Sequence, residues 1–244
     1  MRATFSFLYG LAAYAACLGA LLYLIGFSGN VLVPRSVDSG ASATLVEALC
    51  IDVLLLSLFA VQHSVMARQA FKRAWTRIVP KTVERSTYVL ATSVVLALFF
   101  WQWRSIPAPI VWQVGNAAAV QLLWTAFWLG WMLVLVSTFL INHFELFGLQ
   151  QVFARMTGRK MPEPEFRTPL LYRYVRHPLY LGILLSLWSV SVMTAGHLLY
   201  STGFSAYILL GIWFEERDLI AQFGARYRRY RAEVGMLVPR RSRL

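Results

Sequence analysis

Charged residues are scarce in this sequence, and acidic residues are the scarcest of them. Only 14% of the 244 residues are charged, against 58% that are hydrophobic, and 11 Asp and Glu stand beside 23 Lys and Arg. This composition is far from that of a soluble globular domain and predicts an integral membrane protein. Anionic lipid headgroups account for the excess of basic residues without a nucleic acid. We therefore expect membrane lipids, and no nucleic acid, among the partners.

Cysteine is also rare, and the signatures of several enzyme classes are missing. Cys17 and Cys50 both fall inside apolar runs, which is typical of small buried residues and not of a disulfide or a metal pair. The sequence has no Walker A loop, dinucleotide glycine fingerprint, nucleophile elbow, zinc-spaced His/Cys cluster or haem-attachment motif. It also has no internal repeat and no low-complexity linker. We therefore expect no metal site and one domain over residues 1–244.

Several apolar stretches are long enough to cross about 30 Å of hydrocarbon. They cover residues 5–27, 45–66, 86–103, 117–141 and 179–214. The last stretch is too long for one span and predicts a hairpin, with three residues that offer places to turn: Gly196, His197 and Gly203. The predicted fold class is therefore all-α. It is a polytopic integral membrane helical bundle with five to six transmembrane helices, a C-terminal helical hairpin and a cytoplasmic tail helix.

The basic residues predict which loops face the cytoplasm. With six spans, only Arg35 and Arg104 of the 23 Lys and Arg fall on the opposite side. Because Lys and Arg collect in cytoplasmic loops, we expect both termini inside and a multi-pass protein of the cell (inner) membrane. The first apolar run is too long for a removable signal peptide and should remain as an anchor.

Residues 176–182, RHPLYLG, place a proline at the start of an apolar helix. Pro178 restricts its own backbone and biases His177 away from helical geometry, so the helix should begin at Pro178. The first free amides should then form an anion-binding niche with the helix dipole: those of Leu179, Tyr180 and Leu181. His177 and Tyr180 can donate hydrogen bonds beside this niche, and Gly182 would let a ligand or a second helix approach closely. An ordinary interfacial helix start would give the same pattern.

Three polar residues in or next to the spans are candidates for chemistry. Asp52 lies inside a span, where an ionisable side chain often marks a functional site, although a hydrogen bond to another helix explains it equally well. His63, near the end of the second span, and His143, after the fourth span, can each act as a base. Hydrogen bonds to interfacial groups are the alternative for both histidines.

Glu216 follows the last span and lies on a predicted helical stripe of apolar and aromatic residues. The stripe continues at spacings of four and three: Ile220, Phe223, Tyr227, Tyr230 and Val234. A carboxylate on this buried side can bind a ligand ammonium or ribose hydroxyls. The alternative is an ion pair with Arg176 or Arg173.

The C-terminal third resembles the S-adenosyl-L-methionine (SAM) site of the isoprenylcysteine carboxyl methyltransferase superfamily. The resemblance is carried by YRYVRHPLYLG at 172–182, then Glu215, Glu216, Tyr227, Tyr230 and Pro239. In that superfamily the final spans and the following helix enclose the cofactor at the cytoplasmic face. The resemblance implies a cofactor region over about 142–240 and these cofactor-binding residues: Thr168, Tyr172, His177, Tyr180, Leu181, Gly182 and Glu216. The chain departs from the family pattern at Pro169, where the isoprenylcysteine enzymes carry a glycine-containing turn.

Further motifs resemble the bacterial methanethiol S-methyltransferases over nearly the whole chain, and are also similar to NnrU-like membrane proteins. They are GN at 29–30 with VPRSVDSG at 33–40, QHSVMAR at 62–68 and NHFELFGL at 142–149. The resemblance implies SAM-dependent S-methylation of a small thiol, methanethiol to dimethyl sulfide, at the cytoplasmic face of the membrane. For this reaction we predict His63 or His143 as the base that supplies thiolate, with Arg176 as an electrostatic helper.

Two other functions fit the same motifs. One is a carboxyl O-methyltransferase that acts on an isoprenylcysteine-like or another lipid-like acceptor, which requires a lateral opening to the bilayer. The other is a non-enzymatic NnrU-like membrane protein that shares the fold. A volatile product would distinguish the S-methyltransferase from the first alternative. Absence of SAM binding by well-folded protein would favour the second.

Overall fold

The computed structural model of the chain describes residues 2–163 and 165–240. Within these ranges the α-helices are α1 (Arg2–Gly29), α2 (Leu45–Ala67), α3 (Gln69–Trp75), α4 (Lys81–Gln102), α5 (Ala117–Ile141), α6 (His143–Leu146), α7 (Leu149–Thr157), α8 (Pro178–Trp188), α9 (Ala195–Phe223) and α10 (Ala225–Glu233). Two short strands, β1 (Ile110–Gln113) and β2 (Val192–Thr194), pair in a two-stranded sheet. A 3-10 turn covers Leu170–Arg173.

Five helices are long and apolar enough to cross a membrane: α1, α2, α4, α5 and α9. The bounds of α1, α2 and α4 lie close to the predicted spans, and those of α5 coincide with the predicted 117–141. Helix α9 continues to Phe223, nine residues beyond the predicted end of the last apolar stretch at 214. The described residues therefore confirm an all-α polytopic membrane bundle. The expectation that both cysteines are buried is wrong for Cys50, which is exposed on α2, in a helix whose surface can face lipid.

The C-terminal hairpin turns at a different place from the predicted one. Helix α8 ends at Trp188, and the three residues expected to turn the chain lie inside α9: Gly196, His197 and Gly203. Thr194 begins α9 by accepting the His197 amide on its hydroxyl at 3.0 Å. Gly196 serves close packing instead of a turn, because a Cβ there would lie 2.9 Å from the backbone nitrogen of Ile106.

The tail helix is α10, and it is separate from α9. Gly224 lies between the two helices with a φ of 55°, a left-handed conformation that favours glycine. The predicted stripe from Glu216 to Val234 is therefore interrupted at Gly224.

The chain folds into two compact units. Unit 1 consists of Met1–Val111, Asn142–Pro162 and Thr194–Tyr200, and unit 2 of Trp112–Ile141, Glu163–Met193 and Ser201–Leu244. Of these ranges, residues 1, 164 and 241–244 lie outside the described part of the chain. The expectation of one domain over the whole chain stays a prediction.

Unit 1 is built around a cluster of buried aromatic side chains: Phe27, Phe99, Phe100, Trp103 and Tyr200. Trp103 stacks on Phe99 with 5.0 Å between ring centroids, and Phe27 meets Tyr200 edge-on at 5.7 Å. Trp103 also donates its Nε1–H to the carbonyl of Val37 at 3.0 Å. Such ring pairs add about 0.5–1.5 kcal/mol each beyond their buried area. The cluster therefore holds the loop after α1 against α4.

Unit 2 is built around the antiparallel contact of α5 and α8. Gly182 of α8 lies against Gly130 of α5 so closely that a Cβ on it would be 2.5 Å from the Gly130 carbonyl oxygen. Ser186 donates its hydroxyl hydrogen to the carbonyl of Phe127 at 3.0 Å. Of the two alternatives for Gly182, the approach of a second helix is the one observed. Small residues commonly permit such contacts between membrane helices.

The segment after α8 continues along α5 as extended chain. Helix α8 has 11 residues and is only about 16 Å long, too short to cross the hydrocarbon. Beyond it, the Val190 carbonyl accepts the Trp112 Nε1–H at 3.2 Å, and the Ser191 carbonyl accepts the amide of Val114 at 2.8 Å. Residues 178–191 thus run antiparallel to α5, from the middle of that helix to the residues that precede its start. Helix and extended segment together run beside the first half of α5 and past its start.

Replacing Gly182 by alanine should destabilise the protein by about 1–3 kcal/mol, the usual effect of overpacking. The added Cβ would meet the Gly130 oxygen at 2.5 Å and the Val134 nitrogen at 3.0 Å, and neither backbone atom can move aside by a rotamer change. The measurement is the midpoint of thermal unfolding in detergent. The matched control is Gly211→Ala on α9, where no heavy atom lies within 4 Å of the added Cβ. Equal midpoints for Gly182→Ala and the wild type would contradict the close helix contact.

Candidate functional site

The start of α8 lies where the sequence predicts it. The helix begins at Pro178, and His177 before it has φ −128° and ψ 63°, outside the helical region. The amide of Leu181 is not free, because it donates to the His177 carbonyl at 3.0 Å and closes the first helical turn. The expectation that Leu181 offers its amide to an anion is therefore wrong. The Leu181 N–H is already used in a hydrogen bond within the helix.

Glu216 is the centre of a buried charge network in unit 2. Its Oε1 accepts from Arg176 Nε at 2.7 Å and lies 3.2 Å from His177 Nε2, and its Oε2 accepts from Arg231 Nε at 2.9 Å. The side chains of Arg176 and Glu216 are only 7% and 8% exposed. Of the alternatives for Glu216, the ion pair with Arg176 is the one observed. Nothing in the sequence distinguished Arg231 from the neighbouring arginines of the tail.

The C-terminal tail encloses Arg176 by backbone contacts. Val175 and Gly235 form a parallel β-bridge, in which the Arg176 amide donates to the Gly235 carbonyl at 2.8 Å. The His177 amide donates to the carbonyl of Met236 at 3.1 Å. The Arg176 guanidinium also donates to the carbonyls of two tail residues: Arg231 and Val234. These contacts lock residues 175–177 to the end of the chain.

A second carboxylate lies on the other side of His177. Glu215 Oε2 accepts the Tyr180 hydroxyl at 2.9 Å and lies 3.9 Å from His177 Nδ1. The Glu215 side chain is 43% exposed, so this carboxylate remains accessible. The helix start is therefore flanked by two glutamates. Because Glu216 is already paired with Arg176 and Arg231, Glu215 is the carboxylate that can attract a cation or a hydroxyl donor.

Aromatic residues line the same part of unit 2. The Tyr230 hydroxyl donates to the Tyr172 carbonyl at 2.6 Å. Burial raises the pKa of Tyr230 to about 12 and also raises the pKa values of Tyr172 and Tyr227, so all three remain protonated near neutral pH. The Tyr227 hydroxyl is buried and has no hydrogen-bond partner among the described residues. Thr168 lines a nearby surface cleft.

His63 belongs to unit 1 and has both ring nitrogens close to hydroxyl groups. Its Nε2 lies 2.7 Å from the Tyr88 hydroxyl and its Nδ1 lies 3.3 Å from the Thr92 hydroxyl. Phe59 stacks on the imidazole with 5.4 Å between ring centroids. The ring is therefore held by its neighbours, as expected of a structural histidine or of a positioned base.

His143 is the other histidine proposed as a base, and it also lies in unit 1. It is the first residue of α6, buried, with Nε2 2.8 Å from the Tyr14 hydroxyl. Burial lowers the pKa of His143, so the imidazole is neutral near pH 7. The preceding Asn142 caps α6 by accepting the Glu145 amide at 3.3 Å and donates to the Gln150 side chain at 2.6 Å. Asn142 therefore acts as the N-terminal cap of α6.

Unit 1 contains two further acids with hydrogen-bond partners, Asp52 and Asp38. Asp52 is buried and accepts the Arg104 amide at 2.9 Å, which is the structural hydrogen bond offered as an alternative. Asp38 receives the Thr194 hydroxyl, and its Oδ2 lies 3.3 Å from His197 Nδ1. Burial opposes ionisation of Asp38, but the hydrogen bonds from His197 and Thr194 outweigh it and lower the pKa. Sequence reasoning missed this cluster, because no local signal links residues so far apart.

The predicted site residues divide between the two units. Seven expected cofactor residues and Arg176 lie in unit 2: Thr168, Tyr172, Arg176, His177, Tyr180, Leu181, Gly182 and Glu216. The structure brings Arg176, His177 and Glu216 into direct contact. His63 and His143 lie in unit 1, each beside a tyrosine. The assignment of these residues to a site stays a prediction.

Comparison with known proteins gives close relatives over almost the whole chain. The family model described as NnrU protein matches residues 52–238. A methanethiol S-methyltransferase from Mycobacterium tuberculosis is 53% identical over 98% of both chains. Methanethiol S-methyltransferase 2 from Bradyrhizobium diazoefficiens is 54% identical over 96% of this chain and 89% of its own. Nurim from Rattus norvegicus is 32% identical over 72% of this chain and 70% of its own. No solved structure matches.

Proposed function

Since this chain belongs to the NnrU family and, within it, to the methanethiol S-methyltransferase family, we propose that it transfers the methyl group of SAM to a small thiol, turning methanethiol into dimethyl sulfide. The observation that carries this proposal is identity of 53% over 98% of both chains to a relative of that name. The same sequence identity identifies the chain as a methyltransferase. The donor, the acceptor and the cytoplasmic location of the site are our proposal.

The residues around α8 fit a ligand that carries cationic groups and hydroxyls. SAM supplies a methyl group on a positively charged sulfur, and it also carries an ammonium group and ribose hydroxyls. Glu215 offers an accessible carboxylate, and the buried Tyr227 hydroxyl lacks a hydrogen-bond partner among the described residues. Glu216 Oε1 holds Arg176 and His177, whereas Oε2 faces Arg231, whose side chain is 51% exposed. A ligand hydroxyl at Oε2 would take the place of Arg231.

His143 is the base that we favour for the thiol. A free thiol is mostly protonated at neutral pH, and the thiolate is the nucleophile. His143 is neutral and buried, so its imidazole can accept the thiol proton, while Tyr14 orients the ring from Nε2. A buried site also removes water that would stabilise the separated charges of thiolate and sulfonium. His63 remains the second candidate, and Arg176 the electrostatic helper.

We place both termini and the start of α8 at the cytoplasmic face. The antiparallel course of residues 178–191 along α5 supports a sixth crossing, made by the 11 residues of α8 and the short extended segment that follows them. With six crossings both termini lie on one side, and that side carries all Lys and Arg except Arg35 and Arg104. The cell (inner) membrane is the expected location.

Purified protein incubated with methyl-labelled SAM and methanethiol should produce labelled dimethyl sulfide and an equal amount of S-adenosylhomocysteine. Headspace gas chromatography and liquid chromatography measure the two products. The variant Glu215→Gln should weaken SAM binding about tenfold in calorimetry, the loss expected for one charged hydrogen bond. Protein that binds SAM but makes no volatile product would refute the thiol acceptor. Folded protein that binds no SAM would refute the donor.

A further inference from the structure

Unit 2 contains a basic cleft whose lining includes only one residue expected to bind the cofactor, Thr168. The cleft has a volume of about 520 Å³, and we name it the arginine cleft after three of its lining residues: Arg173, Arg226 and Arg229. Phe166, Thr168 and Tyr230 form part of its remaining wall. The arginines come from two separate segments, the loop before α8 and helix α10, and converge on one concavity.

The arginine cleft keeps an excess of positive charge. Arg173 and Arg229 make no ion pair with any acid in the described part of the chain, and the guanidinium of Arg226 lies over the Phe166 ring at 5.4 Å. The two acids of the lining are Glu165 and Glu233. Glu165 is already paired with Arg167 at 2.7 Å. One acid is therefore left against three converging arginines.

The part of the arginine cleft that α10 forms follows the last membrane-spanning helix along the chain. The apolar part of α9 ends at residue 214, the helix itself continues to Phe223, and the Phe166 ring packs against Phe223 with 5.4 Å between centroids. Phe166 also meets Tyr230 at 5.3 Å. Arg226 and Arg229 of α10 come 12 and 15 residues after the apolar part of α9. Aromatic rings and arginines in this position are typical of the membrane interface.

We propose that the arginine cleft binds the phosphate of an anionic phospholipid headgroup. Arginine guanidinium groups match phosphate oxygens through paired hydrogen bonds, and basic pockets at the ends of membrane helices suit such headgroups. SAM fits this cleft poorly, because its net charge is positive. The acyl chains of a lipid bound here would lie along the apolar surface of α9, whose Leu209 and Leu210 are each 50% exposed.

The test compares two lipids on the purified full-length protein in a neutral detergent. Native mass spectrometry with dioleoylphosphatidylglycerol and dioleoylphosphatidylcholine gives the apparent Kd of each. The wild type should prefer the anionic lipid at least tenfold. Arg229→Gln should weaken that binding about fivefold, and Arg173→Gln with Arg229→Gln about 30-fold, as expected for about one such contact per arginine.

The matched control is Arg228→Gln, which removes the same charge from the exposed neighbouring position of α10 but does not line the cleft. It should change the Kd less than twofold. Equal effects of Arg228→Gln and Arg229→Gln, or equal binding of the two lipids, would overturn the proposal. A third outcome is that inorganic phosphate binds the wild type but not the double variant, while the wild type shows no preference for the anionic lipid. That outcome would assign the cleft to a soluble phosphate and refute the lipid. None of these binding measurements depends on methyl-transfer activity, so the lipid proposal can fail without the proposed function failing.

Discussion

Replacing His143 by alanine should lower kcat/KM for methanethiol by about 10²–10⁴-fold, the usual contribution of a general base, while the Kd of SAM stays unchanged. The loss follows from the thiol, which must shed its proton before it becomes a nucleophile. His143 is the only one of the two candidate histidines that lies outside the membrane spans. The Tyr14 hydroxyl lies 2.8 Å from its Nε2 and can orient the ring.

The pH dependence of the wild type provides an independent check on His143. Burial lowers its pKa from the ordinary value of 6.5, so the imidazole stays neutral as the pH falls through 6.5 and becomes protonated only at a lower pH. A protonated imidazole cannot accept the thiol proton. We therefore expect kcat/KM to fall on the acid side only below pH 6.5, and the His143→Ala variant to lose that acid limb.

Two further variants separate His143 from His63. Tyr14→Phe keeps the imidazole and removes its hydrogen-bond partner, so a smaller loss of kcat/KM is expected. His63→Ala leaves two hydroxyls without their partner, those of Tyr88 and Thr92, and should lower the unfolding midpoint more than it affects the acid limb. A wild-type rate for His143→Ala combined with loss of the acid limb in His63→Ala would reverse the assignment.

Replacing Glu216 by glutamine should destabilise the protein by about 3–5 kcal/mol, the usual result of removing one partner of a buried ion pair. The change leaves Arg176 charged in a place where its side chain is only 7% exposed. It also removes the carboxylate beside His177 Nε2. For a chain of this size, we expect the thermal unfolding midpoint to fall by about 6 °C or more.

The matched control for Glu216→Gln is Glu165→Gln. Glu165 pairs with Arg167 at 2.7 Å, but their side chains are 57% and 77% exposed, so water solvates both charges when the pair is broken. No measurable change of the midpoint is expected. An unchanged midpoint in Glu216→Gln would mean that the network does not support the fold. Calorimetry with SAM would then test Glu216 for a direct role in binding.

Local sequence signals predicted the elements that depend on a few neighbouring residues. Pro178 and the residue before it were sufficient to locate the start of α8, because proline restricts the backbone wherever it occurs. The bounds of α5 followed from the length of its apolar run. The hairpin turn was misplaced because Gly196 suggested flexibility. In the fold that glycine meets the backbone of Ile106.

Apolar length, the distribution of basic residues and one proline were therefore enough to predict a multi-pass helical membrane protein with a helix start at Pro178. Contacts between distant residues decided the remainder. The sequence around Glu216 offered several arginines as partners. Folding paired Glu216 with Arg176, 40 positions before it, and with Arg231 of α10, 15 positions after it. Asp38 and His197 met in the same way. Partner choice of this kind depends on which side chains the packed helices bring within a few ångströms, and no local pattern encodes it.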